Sequence, residues 1–302
     1  MADQAIGAGA HERHDRQWLR FFVIGLMLWV ASVVVTFWTS NTNLVPTVIL
    51  LGSFLVPVTF AVYAFQRYAD QVVTAQHIFT AFVYGGVLGV LGASILEAAF
   101  LKRPSAFTYV GVGLIEEAVK LAALWLLAWR LPRYTMRDGM VLGAAVGLGF
   151  AALESAGYAF NALFTMEGLS LQNLVETEIL RGLLTPLGHG LWTAILGGVL
   201  FRTAARSGRL QLTGGLVGWY LLVALLHTLW DASRGIAVWL TLLLTATQMQ
   251  WAVIQMGRVP QPTQTQVHLF TTLNWGLLLG DALLGVVLFR GRWRQALALE
   301  RA

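Results

Sequence analysis

The sequence contains no cysteine and few charged residues. Cysteine is absent from its 302 residues, only 12% of them are charged, and 57% are hydrophobic, with a mean hydropathy of +0.67. The absence of cysteine excludes a disulfide framework and thiol chemistry. Soluble domains usually carry about 25% charged residues. The scarcity of charge therefore excludes an ordinary soluble globule and predicts a polytopic membrane protein.

Patterns that would indicate other classes of protein are also missing. The sequence shows neither a repeat of about 20 to 50 residues nor a separate soluble domain. Its first 17 residues are polar and lack the apolar stretch and cleavage pattern of a signal peptide, so we expect the first apolar run to be a retained anchor. The pI of about 9.9 does not indicate nucleic-acid binding, because the arginines are spread over short loops.

Eight apolar runs are long enough to span a membrane, which takes about 20 residues for a ~30 Å hydrocarbon core. They lie near 18 to 40, 46 to 66, 78 to 100, 107 to 129, 138 to 164, 179 to 201, 214 to 235 and 272 to 290. A ninth stretch, 236 to 256, carries glutamines and tryptophans typical of an interfacial or re-entrant segment. The predicted fold class is an all-α transmembrane bundle of about eight spanning helices plus that segment.

The loop cations predict how this bundle is oriented. With the N-terminus inside, 14 arginines fall on the cytoplasmic side, while five cationic residues, Arg181 among them, fall outside. This is the usual positive-inside bias. The acidic residues Glu167, Glu176 and Glu178 are assigned to outer loops. We therefore expect a multi-pass protein of the cytoplasmic membrane with both termini in the cytoplasm.

Ionisable residues lie deep inside four of the apolar runs. An unpaired charge there costs at least ~2.5 to 3.5 kcal/mol. At ~1.5 Å per helical residue, Glu116, Glu154, His189 and His227 all fall ~12 to 15 Å from the outer ends of their helices. Unrelated polar residues would be scattered in depth. The common depth on four helices predicts a shared site.

The neighbours of these residues add to the predicted site. Glu116 and Lys120 share a helix face, and so do His227 and Asp231, so that Asp231 could accept the second ring N–H of His227. Four carboxylates counted against Lys120 leave a formal charge of −3 in the apolar layer. Such a charge needs compensation, so we expect bound protons, a divalent cation or both.

Glutamate and histidine are ligands that suit Zn²⁺. A catalytic zinc keeps three protein ligands and a water whose pKa falls to about 7, and a further carboxylate can act as general base. The sequence lacks an HExxH helix motif. Any zinc site must therefore be assembled from separate helices.

The order of these residues resembles the PrsW family of intramembrane proteases, which is related to the CPBP group that contains the type II CAAX endopeptidases. The resemblance covers roughly 105 to 235 and rests on these motifs: Glu116-Glu117-x-x-Lys120, Phe150-x-x-x-Glu154, His189 after Pro186, and His227-x-x-x-Asp231. In the CAAX branch, the first of these motifs resembles EExxxR and the second resembles FxxxH. Lys120 and Glu154 therefore favour PrsW over a protease of prenylated proteins.

The resemblance implies hydrolysis of a peptide bond in a single-pass membrane protein. Founding members are similar to site-1 proteases that cleave an anti-sigma factor on its extracytoplasmic side. It also implies roles for the residues of the site. Glu116 would be the base that activates water, and Glu117 a neighbour that shares a proton or metal, while Lys120 could neutralise or anchor one carboxylate. The metal ligands would be Glu154, His189 and His227, and Asp231 would orient His227 or the substrate. The motifs fit a zinc enzyme and a metal-free glutamate protease alike, and the charge count favours a metal.

The sequence thus predicts four regions and leaves two other functions open. The regions are a cytoplasmic tail (1–17), N-terminal transmembrane helices (18–104), a catalytic transmembrane core (105–235), and C-terminal helices with a basic tail (236–302). The alternatives are a proton- or cation-coupled transporter and a non-catalytic scaffold. Broken helices related by an internal repeat, which are typical of transporters, are not evident. The oligomeric state is not predicted.

Overall fold

A computed structural model describes residues 16–68, 72–103, 105 and 107–301; the predicted tail lies outside these residues except for its last two. The α-helices are α1 Gln17–Thr39, α2 Val45–Tyr68, α3 Ala75–Val83, α4 Gly89–Phe100, α5 Thr108–Ala128, α6 Met136–Leu163, α7 Leu171–Leu184, α8 His189–Ser207, α9 Gly214–Thr245, α10 Gln248–Gln255 and α11 Gln264–Arg301. Strands β1 Phe164–Thr165 and β2 Gly168–Leu169 form a small antiparallel hairpin, with Phe164 opposite Leu169.

The helices form a bundle in which successive passes run in opposite directions. Gln17 at the start of α1 is hydrogen-bonded to Gln66 near the end of α2 (2.9 Å), and Arg137 at the start of α6 pairs with Glu300 at the end of α11 (3.1 Å). We call the side where these contacts lie the arginine end, and the side that carries the β-hairpin the hairpin end. Both α1 and α11 have their outer termini at the arginine end.

Within the described residues, eight passes connect the two ends: α1, α2, α3 with α4, α5, α6, α7 with α8, α9, and α11. Seven of these segments are long and apolar enough to cross a membrane. The eighth, α5, is 21 residues long and as apolar as several of the others, but it carries three charged residues near its centre. The predicted all-α transmembrane bundle is confirmed, and α5 is the pass that its buried charges set apart.

The sixth pass is not the continuous helix that the apolar run 179 to 201 predicted. It consists of α7, a 3₁₀ turn over Thr185–Leu187, and α8. Pro186 lacks a backbone N–H and interrupts helical hydrogen bonding. The interruption makes His189 the first residue of α8, so the imidazole lies at a helix start in the middle of the bundle.

The ambiguous stretch 236 to 256 does not form a ninth pass. Its first half continues α9 as far as Thr245, and its second half forms the short helix α10. Thr247 begins α10 with a capping box, accepting a hydrogen bond from the Gln250 backbone N–H while the Gln250 side chain accepts one from the Thr247 N–H.

Three glycines bring α6 and α8 into close contact. A Cβ atom on Gly139, Gly143 or Gly147 would overlap the carbonyl oxygens of Gly197, Thr193 and His189, respectively. Small residues repeated every four positions allow two helix backbones to approach in this way, and the sequence pattern predicts the same packing face. The contact at Gly147 fixes the height of His189 relative to Glu154, which lies two turns further along α6.

Candidate active site

Lys120 lies at the centre of a polar cluster inside the bundle and is fully buried. Its Nζ atom is 2.7 Å from Glu117 Oε1, 3.3 Å from Glu116 Oε2 and 2.8 Å from His189 Nδ1. The ring of Phe150 covers it, with its centroid 4.2 Å away. An ammonium group has three donors and no acceptor, so Nδ1 of His189 accepts. Burial of this cation is compensated by two carboxylates and an imidazole.

Glu154 of α6 holds the other nitrogen of His189. Because Nδ1 accepts from Lys120, the hydrogen-bond pattern assigns the ring proton to Nε2, which donates to Glu154 Oε2 at 3.0 Å. Glu154 also forms an ion pair with Arg181 of α7, and Nε of Arg181 donates to Ser155 Oγ at 2.7 Å. Glu154 is therefore engaged by one imidazole and one guanidinium.

His227 of α9 is oriented by Glu117. Its Nδ1 lies 3.0 Å from Glu117 Oε1, while Nε2 lies 3.6 Å from Glu116 Oε2 and 3.5 Å from Asp231 Oδ2. Donation from Nδ1–H to Glu117 leaves the lone pair of Nε2 directed at Glu116 and Asp231. The sequence analysis expected Asp231 to accept the ring N–H, whereas Glu117 is the nearer carboxylate.

The cluster is closed on one side and partly open on the other. Glu117 and Lys120 have no exposed surface, whereas the side chains of Glu154, Arg181 and Asp231 retain 18, 23 and 25% of theirs. The cluster therefore opens to the surface of the protein on this second side. Arg181 also brings a second cation, so the excess of negative charge is two rather than the predicted three.

Three donors of the cluster meet the requirements of a metal site. One ligand atom each from Glu116, His189 and His227 lies within 4.8 Å of the other two, and all three residues are buried. Among the described residues, Glu116 Oε2 has an ion-pair contact with Lys120 Nζ at 3.3 Å but no hydrogen bond of good geometry. Two imidazoles and one carboxylate are a common ligand set for catalytic zinc. The sequence analysis named Glu154 as the third ligand; Glu154 lies in the same cluster, where it pairs with Arg181, and its role remains a prediction.

All seven residues predicted for the site lie in this one cluster, on α5, α6, α8 and α9; their chemical roles remain predictions. The structure adds Arg181, which the sequence analysis assigned to an outer loop. Glu97 of α4 also lies near enough to interact electrostatically with Glu154 and Asp231. Asp281 of α11 is buried beside the cluster, and neither of its carboxylate oxygens has a hydrogen-bond partner among the described residues.

Glu178 corrects the predicted outer loop further. It was expected in the solvated loop, but it is only 4% exposed and accepts a hydrogen bond from Trp29 Nε1 of α1 at 2.8 Å. A Cβ atom on Gly52 of α2 would overlap its carboxylate. α7 is thus fixed to α1 and α2 through Glu178 and to the polar cluster through Arg181.

Comparisons with known proteins found a matching family and relatives of this chain. A sequence model described as PrsW family intramembrane metalloprotease matches residues 73–256, which include α5 to α9. Protease PrsW of Halalkalibacterium halodurans is 29% identical over 175 residues, 56% of this chain and 74% of that protein. Protease PrsW of Geobacillus kaustophilus is 33% identical over 98 residues, 32% of this chain and 39% of that protein. No solved structure matches the chain at a significant level.

Proposed function

The chain belongs to the PrsW family of intramembrane metalloproteases, and from this premise we propose that the cluster around Lys120 hydrolyses a peptide bond of a single-pass membrane protein. The observation that carries the proposal is the convergence of Glu116, His189 and His227 from three helices, with ligand atoms within 4.8 Å of one another. Unpaired polar groups at this depth are costly. A site that binds and activates water accounts for keeping them together.

We propose that Glu116, His189 and His227 would hold a divalent metal, most simply Zn²⁺. His189 would bind through Nδ1, so Lys120 Nζ would have to release the contact that it makes with this atom. When bound, such an ion supplies Lewis acidity and lowers the pKa of water to about 7. Each histidine has one ring nitrogen held by a carboxylate, His189 by Glu154 and His227 by Glu117. Such outer carboxylates fix the tautomer and orientation of ligating imidazoles. This arrangement assigns Glu117 and Glu154 to positioning rather than to metal binding.

The chain's own residues then divide the proton transfers. Asp231 is partly exposed and lies 3.5 Å from His227 Nε2, and no cation pairs with it among the described contacts. It is therefore the carboxylate we assign as general base, accepting a proton as the water oxygen attacks the carbonyl carbon. The same proton passes to the amide nitrogen as the C–N bond breaks. Glu116, the base in the sequence-based hypothesis, acts as a ligand in this scheme.

The substrate and its approach follow from where the site opens. The side chains of Glu154, Arg181 and Asp231 are partly exposed. Each of these residues lies closer to the hairpin end than Lys120 does, by about one helical turn or more. With both termini in the cytoplasm, the hairpin end faces outward. We propose that the scissile bond lies in the outer half of the cytoplasmic membrane, in a regulator such as an anti-sigma factor.

Cleavage by purified protein tests the proposal. Wild-type protein loaded with Zn²⁺ should cleave a single-span substrate, and Glu116→Gln should lower the rate by about 10² or more and reduce bound zinc. Glu176→Gln is the matched control, because Glu176 is exposed on α7 and bonds only to Gln172 among the described residues. Undiminished cleavage by Glu116→Gln would remove this residue from the mechanism. Cleavage in the absence of metal would rule out a role for zinc in the reaction.

A further inference from the structure

A large cavity lies in the bundle outside the polar cluster. It has a volume of about 750 Å³, is open along one side, and is almost entirely apolar. It is bounded by α1, α2, α6, α11, the segment that joins α7 to α8, and the first residues of α8. None of the proposed catalytic or metal-binding residues lines it. The proposed protease activity therefore gives this cavity no role.

The cavity has the depth of one leaflet of a bilayer. Its lining on α2 runs from Val56 to Tyr68, which is ~18 Å of helix, and half of a hydrocarbon core is ~15 Å. It begins at the arginine end, among the aromatic residues Trp18, Tyr68 and Trp293. It ends at mid-depth. Aromatic rings at one end and aliphatic lining at the other match the polarity profile of a single leaflet.

The depth of the cavity does not match a transmembrane helix. A spanning helix is about 30 Å long, whereas the cavity follows only ~18 Å of α2. A narrower, flexible and apolar chain fits. The hydrocarbon tail of a lipid has this shape, and it reaches the cavity directly through the open side.

The charged residues where the cavity begins, which we call its mouth, favour lipids with anionic headgroups. Four exposed arginines are one or two positions in the sequence from Trp18, Tyr68 or Trp293: Arg16 directly before α1, Arg20 on α1, Arg67 on α2 and Arg294 on α11. Basic residues at a membrane surface attract anionic headgroups, at about 1 kcal/mol per residue. Glu300, an acid at this end of the bundle, is already paired with Arg137.

We propose that this cavity binds one acyl chain of an anionic phospholipid from the leaflet at the arginine end, with its headgroup among the four arginines. The deep end of the chain would contact Pro186, Gly190 and Leu191. These residues flank His189 at the start of α8. The bound lipid therefore packs against the backbone segment that carries one of the histidines of the polar cluster.

Native mass spectrometry of the full-length protein tests this site. The protein is released from nanodiscs of equimolar dioleoyl phosphatidylglycerol and dioleoyl phosphatidylcholine, and the retained lipid is measured. Wild type should retain one phospholipid enriched in phosphatidylglycerol. Val56→Trp, which fills the cavity, should lower retention about tenfold. Val58→Trp, on the lipid-facing side of the same helix and 38% exposed in the wild type, should not.

Three results would overturn the proposal: equal retention by Val56→Trp and Val58→Trp, a retained lipid with the bulk ratio of headgroups, or retention of a free fatty acid instead of a phospholipid. Thr59→Phe also fills the cavity and replaces Val56→Trp if that variant does not elute as a folded protein. Arg20→Gln together with Arg67→Gln should abolish the enrichment in phosphatidylglycerol while leaving a retained lipid. Because the readout is bound lipid, failure here leaves the proposed cleavage untouched.

Discussion

Two carboxylates compete for the role of orienting His227, and their geometry separates them. Glu117 meets Nδ1 at 3.0 Å and is fully buried, whereas Asp231 lies 3.5 Å from Nε2 and is partly exposed. A buried carboxylate that is hydrogen-bonded to an imidazole fixes the orientation of that metal ligand. A partly exposed carboxylate can exchange protons with water. Substitutions of the two residues should therefore have different effects on zinc binding and on catalysis.

We expect Glu117→Gln to weaken zinc binding about 10- to 100-fold, because the amide no longer holds His227 as a carboxylate does. Asp231→Asn should leave zinc affinity close to wild type and lower kcat by about 10² to 10⁴, since the amide cannot take up a proton. Zinc titration by calorimetry and cleavage assays measure the two effects. The reverse pattern, with Asp231→Asn losing zinc, would restore Asp231 as the orienting residue.

The residue types of the site could be predicted from sequence, but not their pairing. Apolar surroundings mark Glu116, Glu117 and His227 as unusual in any helix. Which carboxylate faces which ring nitrogen depends on helix rotation and side-chain rotamers, and an uncertainty of one turn in the helix bounds removes that information. Arg181 was missed because an arginine at the start of an apolar run is typical of a membrane interface.

At the scale of elements, the contacts that attach α7 to the rest of the bundle are the ones that local sequence pattern predicts least. Its 14 residues include Glu178 and Arg181, which local pattern assigns to a solvated loop. Both are partnered across the bundle instead, with Trp29 and with Glu154. Such contacts join residues far apart in the chain, so no local pattern reports them. In contrast, the glycine spacing of α6 predicts its packing face because the signal lies within one helix.

The close contact of α6 with α8 makes a second prediction. Gly143→Leu should destabilise the protein by about 1 to 3 kcal/mol or more, because a side chain there overlaps the Thr193 backbone and forces the helices apart. The cleavage rate should fall with it, since α8 carries His189. Thermal unfolding in detergent measures the first effect.

Gly157→Leu provides the matched control, because Gly157 lies on the same helix with open space around its Cα. It should leave both stability and cleavage close to wild type. If the two leucine variants unfold at the same temperature, the backbone contact between α6 and α8 does not determine stability.

At the scale of the whole molecule, the first described helix begins and the last one ends at the arginine end. We expect this end to be cytoplasmic, given the positive-inside bias. The sequence lacks cysteine, so each introduced thiol is unique. A membrane-impermeant maleimide should label Met166→Cys on the hairpin loop of intact cells and should label Arg209→Cys only after permeabilisation. Labelling of Arg209→Cys alone in intact cells would invert the topology.

The number and alternation of passes could be predicted because hydrophobic length is a local property. The interruption of the sixth pass was not predicted, since prolines occur within continuous transmembrane helices whenever neighbours satisfy the freed carbonyls. The extent of α9 and α11 was underestimated as well. α9 continues through the apolar residues 236 to 245, which the sequence analysis assigned to an interfacial or re-entrant segment. α11 extends over polar residues at both of its ends, and hydropathy gives no reason for those residues to remain helical.

The position of Lys120 has a consequence for how the protein survives between turnovers. Its ammonium is tethered to the chain and touches Glu116, Glu117 and His189, so these groups have a positive neighbour when no metal is bound. Small zinc domains unfold when chelated because metal binding supplies their folding free energy. Here a covalently attached counterion stands by, so demetallation should be a reversible idling state rather than a route to denaturation.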